Sequence, residues 1–260
     1  MKNLFDLTGK GAVIIGGAGG IGQAIAQGFA EAGARVVISS RKEKALRRAK
    51  QEILEASGVS VRCIACDASD EAEVEALLRD STAAPEQIDI LVNAQGFNQK
   101  YPGTEFPADV WDKMFDTNVK SLMLTCKHFG KYMKERGIHG KIINLSSVRG
   151  VRAVGNGGMG NVGYCATKGA VDMLTRAYAS DLRPHIQVNA IGPTITYTPM
   201  MVGLLPDKEE DRAKIASAMP AMRIGMPEDC VGPAVFLASA ASDFVTGQII
   251  YPDGGLTAVG

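Results

Sequence analysis

The fold of this chain is decided by residues 12–22, which read AVIIGGAGGIG. The first four residues form a short apolar run, which is typical of a buried strand. Residues 23–32 follow, and their apolar side chains recur at the spacing of a helix. Glycines allow a tight turn and a close approach of the backbone to a phosphate, which the N-terminus of a helix attracts. The order of strand, glycine-rich turn and helix therefore predicts a dinucleotide-binding site.

Strand-like and helix-like segments alternate along the rest of the chain. Strands are predicted at residues 12–15, 35–39, 59–66, 88–93, 141–145, 186–191 and 248–251. Helices are predicted at residues 20–32, 42–56, 70–81, 108–134, 163–182 and 227–237. Most of the strands are apolar without alternation, as in a parallel sheet that is covered on both faces. The prediction is an α/β fold, a single Rossmann-type, doubly wound parallel sheet of about seven strands with helices on both faces.

The domain organisation is predicted to be simple. No repeat, low-complexity tract or linker divides the chain, so residues 1–260 are expected to form one nucleotide-binding domain. Residues 192–213 form a long irregular stretch that contains Pro193, Pro199 and Pro206. Such stretches are uncommon inside compact domains unless they have a function. We interpret it either as a mobile lid over a site or as a surface excursion without a role.

The composition excludes several classes of partner. The chain has 260 residues, of which 46% are hydrophobic and 22% charged, and its formal net charge is zero. It therefore has no basic excess for binding nucleic acid or an anionic membrane surface. Its apolar runs are too short to span a membrane, and residues 1–10 lack the apolar region of a secretory signal. We expect a cytoplasmic protein with no nucleic-acid or membrane partner.

The cysteines predict neither a metal site nor a disulfide. Cys63 and Cys66 form a C-x-x-C pair, but they lie in a predicted strand, where residues three apart point to opposite faces. No second pair has the spacing of zinc ligands, and the three histidines are scattered along the sequence. Disulfides are rare in cytosolic proteins. The five cysteines are therefore expected to be free and mostly packed as small apolar residues.

A second informative motif is the pair Tyr164 and Lys168. If this segment is helical, residues four apart share one face. An ammonium beside a phenol lowers the phenol pKa, and a tyrosine tuned in this way can exchange a proton with a substrate oxygen. On its own, however, this spacing most often belongs to an ordinary helix surface. The glycine-rich turn near the N-terminus favours the catalytic interpretation.

Together the two motifs resemble the short-chain dehydrogenase/reductase family, and the resemblance covers nearly the whole chain. The matching residues are Gly16, Gly20 and Gly22 of the glycine-rich turn, Asp67, Asn118, Ser147, Tyr164 and Lys168. The sequence departs from the family pattern at Ile15, where threonine is usual, at Ala94-Gln95 and at Thr194, which replaces a glycine after Pro193. The interval from Ser147 to Tyr164 is also longer than usual. Its extra residues fall in 151–163, and they form either a specificity loop or an inert insertion.

The resemblance implies an enzyme that transfers a hydride between a nicotinamide and the carbonyl or secondary alcohol of a small-molecule substrate. It implies that Tyr164 is the acid/base, that Ser147 binds the same substrate oxygen, that Lys168 holds the ribose, and that Asn118 orders a water next to Lys168. The cofactor contacts that it implies are Gly16, Gly20, Ile21, Gly22, Ser40, Arg41, Asp67, Asn93, Gly96, Tyr164, Lys168, Pro193 and Thr198. It also implies a homotetramer assembled through helices 108–134 and 163–182 and the last strand.

The end of the second strand bears on the choice of cofactor. Residues 39–42 read SSRK, so no carboxylate is present there to bind ribose hydroxyls or to repel a 2′-phosphate. Arg41 can bind such a phosphate through two hydrogen bonds, which favours NADP. NAD remains possible, because Arg41 and Lys42 also suit the start of a charged helix, and Gly19 provides no basic side chain.

The substrate is the least specified feature. Residues 232–239, 243–247 and 253–255 resemble sugar-acid and polyol dehydrogenases, gluconate 5-dehydrogenase among them, and less closely 3-oxoacyl-carrier-protein reductases. A non-catalytic dinucleotide sensor is the third alternative, although such proteins commonly lack the catalytic tyrosine or lysine. A carboxylate substrate needs a nearby cation, for which Arg149 and Arg152 are candidates. The alternative for both arginines is solvated loop charge.

Overall fold

The computed structural model of the protein describes residues 3–83, 86–153, 161–201 and 205–259. At its centre lies a seven-stranded sheet in which the paired strands run parallel, in the order β3-β2-β1-β4-β5-β6-β7. The strands are β1 (Gly11–Ile15), β2 (Arg35–Ser40), β3 (Arg62–Ala65), β4 (Ile90–Asn93), β5 (Gly140–Leu145), β6 (Ile186–Ile191) and β7 (Ile249–Ile250). The predicted doubly wound parallel sheet is confirmed.

Helices cover both faces of the sheet. They are α1 (Gly20–Glu31), α2 (Glu43–Ser57), α3 (Glu71–Ser81), α4 (Ala108–Phe115), α5 (Ser121–Glu135), α6 (Val162–Asp181), α7 (Glu209–Ala216) and α8 (Val231–Ala238). The first core contains residues of α1, α2 and α8, and the second contains residues of α3, α5 and α6. Along β1, Ala12 and Ile14 belong to the first core, whereas Val13 and Ile15 belong to the second. This alternation explains why the strand is apolar throughout.

The strand order places a crevice beside β1. After β3 the chain crosses back to β4, which pairs with β1 on the side opposite β2. The connections that follow β1 and β4 therefore run in opposite directions from a shared edge, and ligands of open α/β sheets bind at such a point. In the register of this pair Ile15 lies beside Asn93, so the glycine-rich turn comes next to residues 94–96.

Several predicted boundaries differ from the structure. The strand predicted at 59–66 is only Arg62–Ala65, and the strand predicted at 248–251 is only Ile249–Ile250. Both lie at the edges of the sheet, where a single neighbouring strand limits the pairing. The helix predicted at 227–237 starts as a 3₁₀ turn before α8, and α7 was not predicted.

The helix predicted at 108–134 is interrupted. A π-helical segment, Asp116–Lys120, separates α4 from α5. The Ser121 hydroxyl donates to the carbonyl of Thr117 at 2.6 Å and accepts a hydrogen bond from Gln95 at 2.8 Å. The apolar periodicity of the sequence does not reveal this interruption, because the segment is held by a partner from the loop after β4.

None of the five cysteines forms a disulfide, whereas the expectation that they bind no metal stays a prediction. Cys63 packs against the first core and Cys66 lies in the second, so the two residues are on opposite faces of the sheet. Within the described residues, no helix has the length and apolar character needed to cross a membrane. Residues 154–160 of the predicted specificity loop and residues 202–204 of the predicted lid lie outside the described part of the chain.

Candidate active site

A cavity of about 440 Å³ lies at the carboxyl ends of the central strands. One side is formed by the glycine-rich turn and by residues 94–96 after β4. The other side is formed by residues 145–149 after β5, by Tyr164 and Lys168 of α6, and by residues 193–196 and 198–201 after β6. Segments that are far apart in the sequence thus meet at the edge where the strand order predicts a ligand site.

The glycine-rich turn is packed too closely for larger residues. Gly16 has φ +76°, and a Cβ atom there would lie 2.7 Å from the backbone carbon of Ala94. A Cβ atom at Gly22 would lie 2.4 Å from the carbonyl oxygen of Gly16. The helix α1 begins inside this turn, so its unpaired backbone N–H groups open towards the cavity. The turn therefore matches the requirements of a dinucleotide pyrophosphate.

Lys168 lies on the same helical face as Tyr164, as the sequence predicts. Its ammonium is 5.5 Å from the centroid of the Tyr164 ring and donates to the carbonyl of Leu145 at 2.6 Å. The side chain is buried, and burial lowers the pKa of Lys168 to about 8, against the opposing charge of Asp172. Lys168 therefore stays predominantly protonated at neutral pH and loses its charge in mildly alkaline solution.

The predicted lowering of the Tyr164 pKa is wrong for the protein without its cofactor. Burial raises the pKa of Tyr164 to about 12, and this effect outweighs the hydrogen bond with Ser147 and the charge of Arg149, which both lower it. The Lys168 ammonium lies over the ring and is bonded to Leu145. The cation that acts on the Tyr164 hydroxyl is therefore Arg149. Tyr164 is a protonated acid at neutral pH.

Ser147 follows the end of β5 and is buried beside Tyr164. Its hydroxyl donates to the carbonyl of Pro193 at 3.3 Å and accepts from the backbone N–H of Arg149 at 3.2 Å. The first bond links the end of β5 to the loop after β6, and the second initiates the short turn that carries Arg149. The structure thus brings the predicted Ser147, Tyr164 and Lys168 together around one cavity.

Asn118 lies in the π-helical segment, below the cavity. Its side chain accepts from the backbone N–H of Phe97 at 2.7 Å and donates to the carbonyl of Phe97 at 2.9 Å and to the Thr167 hydroxyl at 3.0 Å. These bonds join the loop after β4 to the residue before Lys168. Its hydrogen bonds within the described residues are therefore to Phe97 and Thr167, and the water-ordering role stays a prediction.

The predicted cofactor residues fall into two groups. Those that line the cavity are Gly20, Ile21, Gly22, Gly96, Tyr164, Lys168, Pro193 and Thr198. Those that lie outside its lining are Gly16, Ser40, Arg41, Asp67 and Asn93. Asn93 is buried, where its side chain donates to Asn144 at 2.9 Å and accepts from Thr125 at 2.7 Å, so its amide joins β4 to β5 and α5.

Arg41 and Asp67 lie close to each other past the ends of β2 and β3. Burial works against ionisation of Asp67, but hydrogen bonds from Ser69 and the charges of Arg41 and Lys120 lower its pKa. Arg41 is exposed at the end of β2. A second arginine, Arg48 of α2, lines the cavity and forms an ion pair with Glu52 at 3.5 Å.

Several residues of the lining were missed by the sequence analysis as functional residues: Arg48, Gln95, Asn98, Lys100, Asn161, Thr194, Met200 and Met201. No motif marks them, since they come from three separate loops and one helix. Two have a partial signal, because Gln95 and Thr194 are departures from the family pattern. Asn161 has another, since it lies three residues before Tyr164, about one helical turn away.

A doubly wound parallel sheet with a glycine-rich turn, and a Ser-Tyr-Lys set around the cavity at its switch point, define a Rossmann-fold oxidoreductase. A family model described as enoyl-(acyl carrier protein) reductase matches residues 16–257. The chain belongs to the short-chain dehydrogenase/reductase family, and it is an NAD(P)-dependent oxidoreductase that acts on CH–OH groups.

Individual relatives are similar over nearly their whole length. The chain is 38% identical to gluconate 5-dehydrogenase of Gluconobacter oxydans (strain 621H), with 98% of this chain and 97% of the relative covered. It is 35% identical to 5-keto-D-gluconate 5-reductase of Escherichia coli (strain K12), with 98% of each covered. It superposes with a TM-score of 0.90 on a gluconate 5-dehydrogenase from Burkholderia cenocepacia J2315 in complex with NADP and tartrate. That protein is 36% identical, with 99% of this chain and 98% of that chain covered.

Proposed function

We propose that the protein interconverts a secondary alcohol of a sugar acid and the corresponding ketone, with NADP as the hydride carrier. The observation that carries this proposal is the Ser147, Tyr164 and Lys168 set around one cavity, in a chain 38% identical to a gluconate 5-dehydrogenase. A bound nicotinamide nucleotide supplies or accepts the hydride. The remaining tasks, binding the substrate oxygen and moving its proton, belong to side chains of this protein.

The protonation state of Tyr164 assigns its part in the reaction. In the reducing direction its hydroxyl donates a proton to the carbonyl oxygen of the substrate, since burial keeps the phenol protonated at neutral pH. In the oxidising direction the same oxygen takes the proton back. Ser147 donates a hydrogen bond to that substrate oxygen, and Lys168 holds the ribose of the nucleotide. Asn118 keeps the segment beside Lys168 in place through Thr167.

Two features of this chain support NADP over NAD. Residues 39–42 contain no carboxylate, and the exposed Arg41 follows β2, where the 2′-phosphate of a bound nucleotide would lie. The relative from Burkholderia cenocepacia, whose structure contains NADP, supports the same choice. The backbone of Gly20 to Gly22, together with Thr198, which lies next to Gly20, would hold the pyrophosphate and nicotinamide ends.

The test is an absorbance assay of nicotinamide reduction and oxidation, with NADP and NAD, across sugar acids, polyols and acyl thioesters. We expect turnover with a sugar acid such as gluconate or 5-keto-D-gluconate. Tyr164→Phe should lower kcat by about 10²- to 10⁴-fold, because the proton donor is lost. Nucleotide affinity, measured by calorimetry, should stay close to that of the wild type. Tyr132→Phe, on α5, is the matched control and should keep wild-type activity.

Near-normal turnover of Tyr164→Phe would remove the proposed mechanism.

The description of the matching family model favours a second candidate, reduction of an acyl thioester bound to a carrier protein. Turnover restricted to 3-oxoacyl thioesters would select that alternative. Nucleotide binding without turnover of any panel member would instead indicate a sensor.

We also propose a homotetramer in the cytoplasm, a single domain over residues 1–260, and a lid within residues 192–213. Large apolar side chains on the outer surface support assembly: Met173 on α6 is 60% exposed, and Phe244 shortly before β7 is fully exposed. The lid is supported by the described residues 193–196 and 198–201, which form one wall of the cavity. Light scattering after size exclusion tests the assembly, and a monomer at micromolar concentration would contradict it.

A further inference from the structure

Buried polar atoms without a partner gather in the cavity. Among the described residues, the side-chain oxygens that are buried and accept or donate no hydrogen bond include Gln95 Oε1, Asn98 Oδ1, Asn161 Oδ1 and Thr194 Oγ1. All four side chains line the cavity. Leaving a buried polar group unpaired is costly, and such groups in native proteins require an explanation. Three of them are amide oxygens, which accept hydrogen bonds, so a ligand with several hydroxyl groups suits this cavity.

Asn161 is the amide nearest to Tyr164 in the sequence. It occupies the N-cap position of α6, and its side chain forms no capping hydrogen bond. The residue is only 7% exposed, and its carbonyl accepts from the backbone N–H of Cys165 at 2.8 Å. An N-cap asparagine normally uses its side chain to satisfy the helix. Here the backbone starts the helix and Asn161 Oδ1 is left available inside the cavity.

Arg149 lines the cavity, and its charge acts on the Tyr164 hydroxyl. Its backbone N–H donates to the Ser147 hydroxyl at 3.2 Å, which holds the residue next to the Ser147 side chain. Its guanidinium donates from Nη1 to the carbonyl of Ala153 at 2.9 Å, and no carboxylate among the described residues forms an ion pair with it. Nη2 and Nε have no hydrogen-bond partner within the described segments. A planar guanidinium with two free donors is suited to a carboxylate.

Arg152, the other cation of this loop, is already occupied. Its Nη1 donates to the carbonyl oxygens of Leu256 and Val259, so it attaches the loop to the C-terminal segment. It does not line the cavity, whereas Arg149 does. The two arginines, which the sequence does not distinguish, thus have different parts.

We propose that Arg149 and Asn161 form the subsite that selects a polyhydroxy carboxylate. Arg149 binds the carboxylate of the substrate, and Asn161 Oδ1 accepts a hydrogen bond from a hydroxyl next to the reacting carbon. The inference rests on the proposed function and adds the residues that read the substrate. Both line the cavity that Tyr164 also lines, the first through the turn after Ser147 and the second through the start of α6.

The experiment compares a sugar acid with its uncharged polyol or ketose counterpart and with a deoxy acid that lacks the neighbouring hydroxyl. Arg149→Met should raise KM for the acid by about 10- to 100-fold and leave KM for the uncharged counterpart within about twofold. Asn161→Leu should lower kcat/KM for the hydroxylated acid by about tenfold and change the deoxy acid little. Calorimetric titration of the enzyme–NADP complex with tartrate should show weaker binding to Arg149→Met.

Arg136→Met, which removes an exposed arginine that contacts Tyr132 on α5, is the matched control and should alter none of these ratios.

The proposed function and the proposed subsite fail in different ways. If the wild-type enzyme converts no sugar acid, the proposed function is wrong and this subsite falls with it. If the wild-type enzyme converts a sugar acid and Arg149→Met keeps its preference for the acid over the uncharged counterpart, only the subsite is wrong. If Arg149→Met loses activity with both substrates to the same extent, the subsite is also wrong. A residue that binds the carboxylate must affect the charged substrate more than the uncharged one.

Discussion

At the scale of single residues, the environment of a side chain decides its chemistry as much as its identity does. Tyr164 and Lys168 are the residues that the motif indicates, and they share a helix face. Burial nevertheless moves their pKa values apart, to about 12 for the phenol and about 8 for the ammonium. Desolvation favours the neutral form of each group, which explains both directions. At neutral pH the phenol is therefore uncharged, whereas the ammonium keeps most of its charge and loses it in mildly alkaline solution.

Arg41 provides a prediction at the same scale. It is exposed at the end of β2, where its charge, together with the hydrogen bonds from Ser69, lowers the pKa of Asp67 against the effect of burial. Arg41→Ala should weaken NADP binding about 10-fold and leave NAD binding unchanged, because only NADP carries the 2′-phosphate. Fluorescence titration with each nucleotide measures this. Lys44→Ala, which removes an exposed cation at the start of α2, is the control. Equal losses for both nucleotides would show that Arg41 does not read the phosphate.

At the scale of elements, the π-helical segment Asp116–Lys120 links three parts of the site. Its Asn118 bonds Phe97 in the loop after β4 and Thr167 beside Lys168. The adjoining Ser121 bonds Gln95, whose neighbours contact the glycine-rich turn. Helices with such interruptions frequently carry functional sites. The irregular segment is therefore the element that connects the loop beside the glycine-rich turn to α6.

The prediction at this scale concerns Asn118. Asn118→Ala removes the three hydrogen bonds of a buried side chain, so the free energy of unfolding should fall by about 1–3 kcal/mol in urea titrations. Turnover should fall as well, because the segment that positions Lys168 loosens. Asp116 is exposed in the same segment. Asp116→Ala should therefore change the free energy of unfolding by no more than about 0.5 kcal/mol and should leave turnover unchanged. Wild-type stability of Asn118→Ala would contradict this account of the segment.

At the scale of the whole molecule, the buried thiols make the fold sensitive to alkali. Burial raises the pKa of Cys66, Cys126 and Cys230 to about 12 from the ordinary value of 9.0. In the unfolded chain these thiols ionise near pH 9, whereas in the folded protein they stay protonated. Above that pH the folded state binds more protons, so stability falls as the pH rises. Lys168 acts in the opposite sense, since its pKa is lowered to about 8, but it is a single group.

The free energy of unfolding should therefore decrease between pH 9 and pH 10, because the three thiols outweigh Lys168. Each fully shifted group contributes about 1.4 kcal/mol per pH unit. Urea titrations of wild type and Cys126→Ala at a series of pH values measure the slope. The slope of stability against pH should be less steep in the variant, by the contribution of one thiol. Lys44→Ala should keep the wild-type slope, and a stability that rises over this interval would refute the linkage.

The sequence by itself determined the architecture and the candidate catalytic side chains. Apolar runs such as 12–15 and 186–191, and the glycines that follow the first of them, are local signals of strand and turn. Short motifs such as Tyr164-x-x-x-Lys168 indicate chemistry because their residues share one element. Each of these features depends on neighbours within a few positions, so it can be predicted from the sequence alone.

Only the tertiary structure decided the remainder of the site. It separated Arg149 from Arg152, brought Asn161 and Thr194 to one cavity, interrupted the helix at Asp116–Lys120, and reversed the expected shift of the Tyr164 pKa. Burial, unpaired polar atoms and electric fields arise where distant segments meet, and no short stretch of sequence contains that information. The sequence therefore indicates which side chains are reactive, whereas packing decides their protonation states and their hydrogen-bond partners.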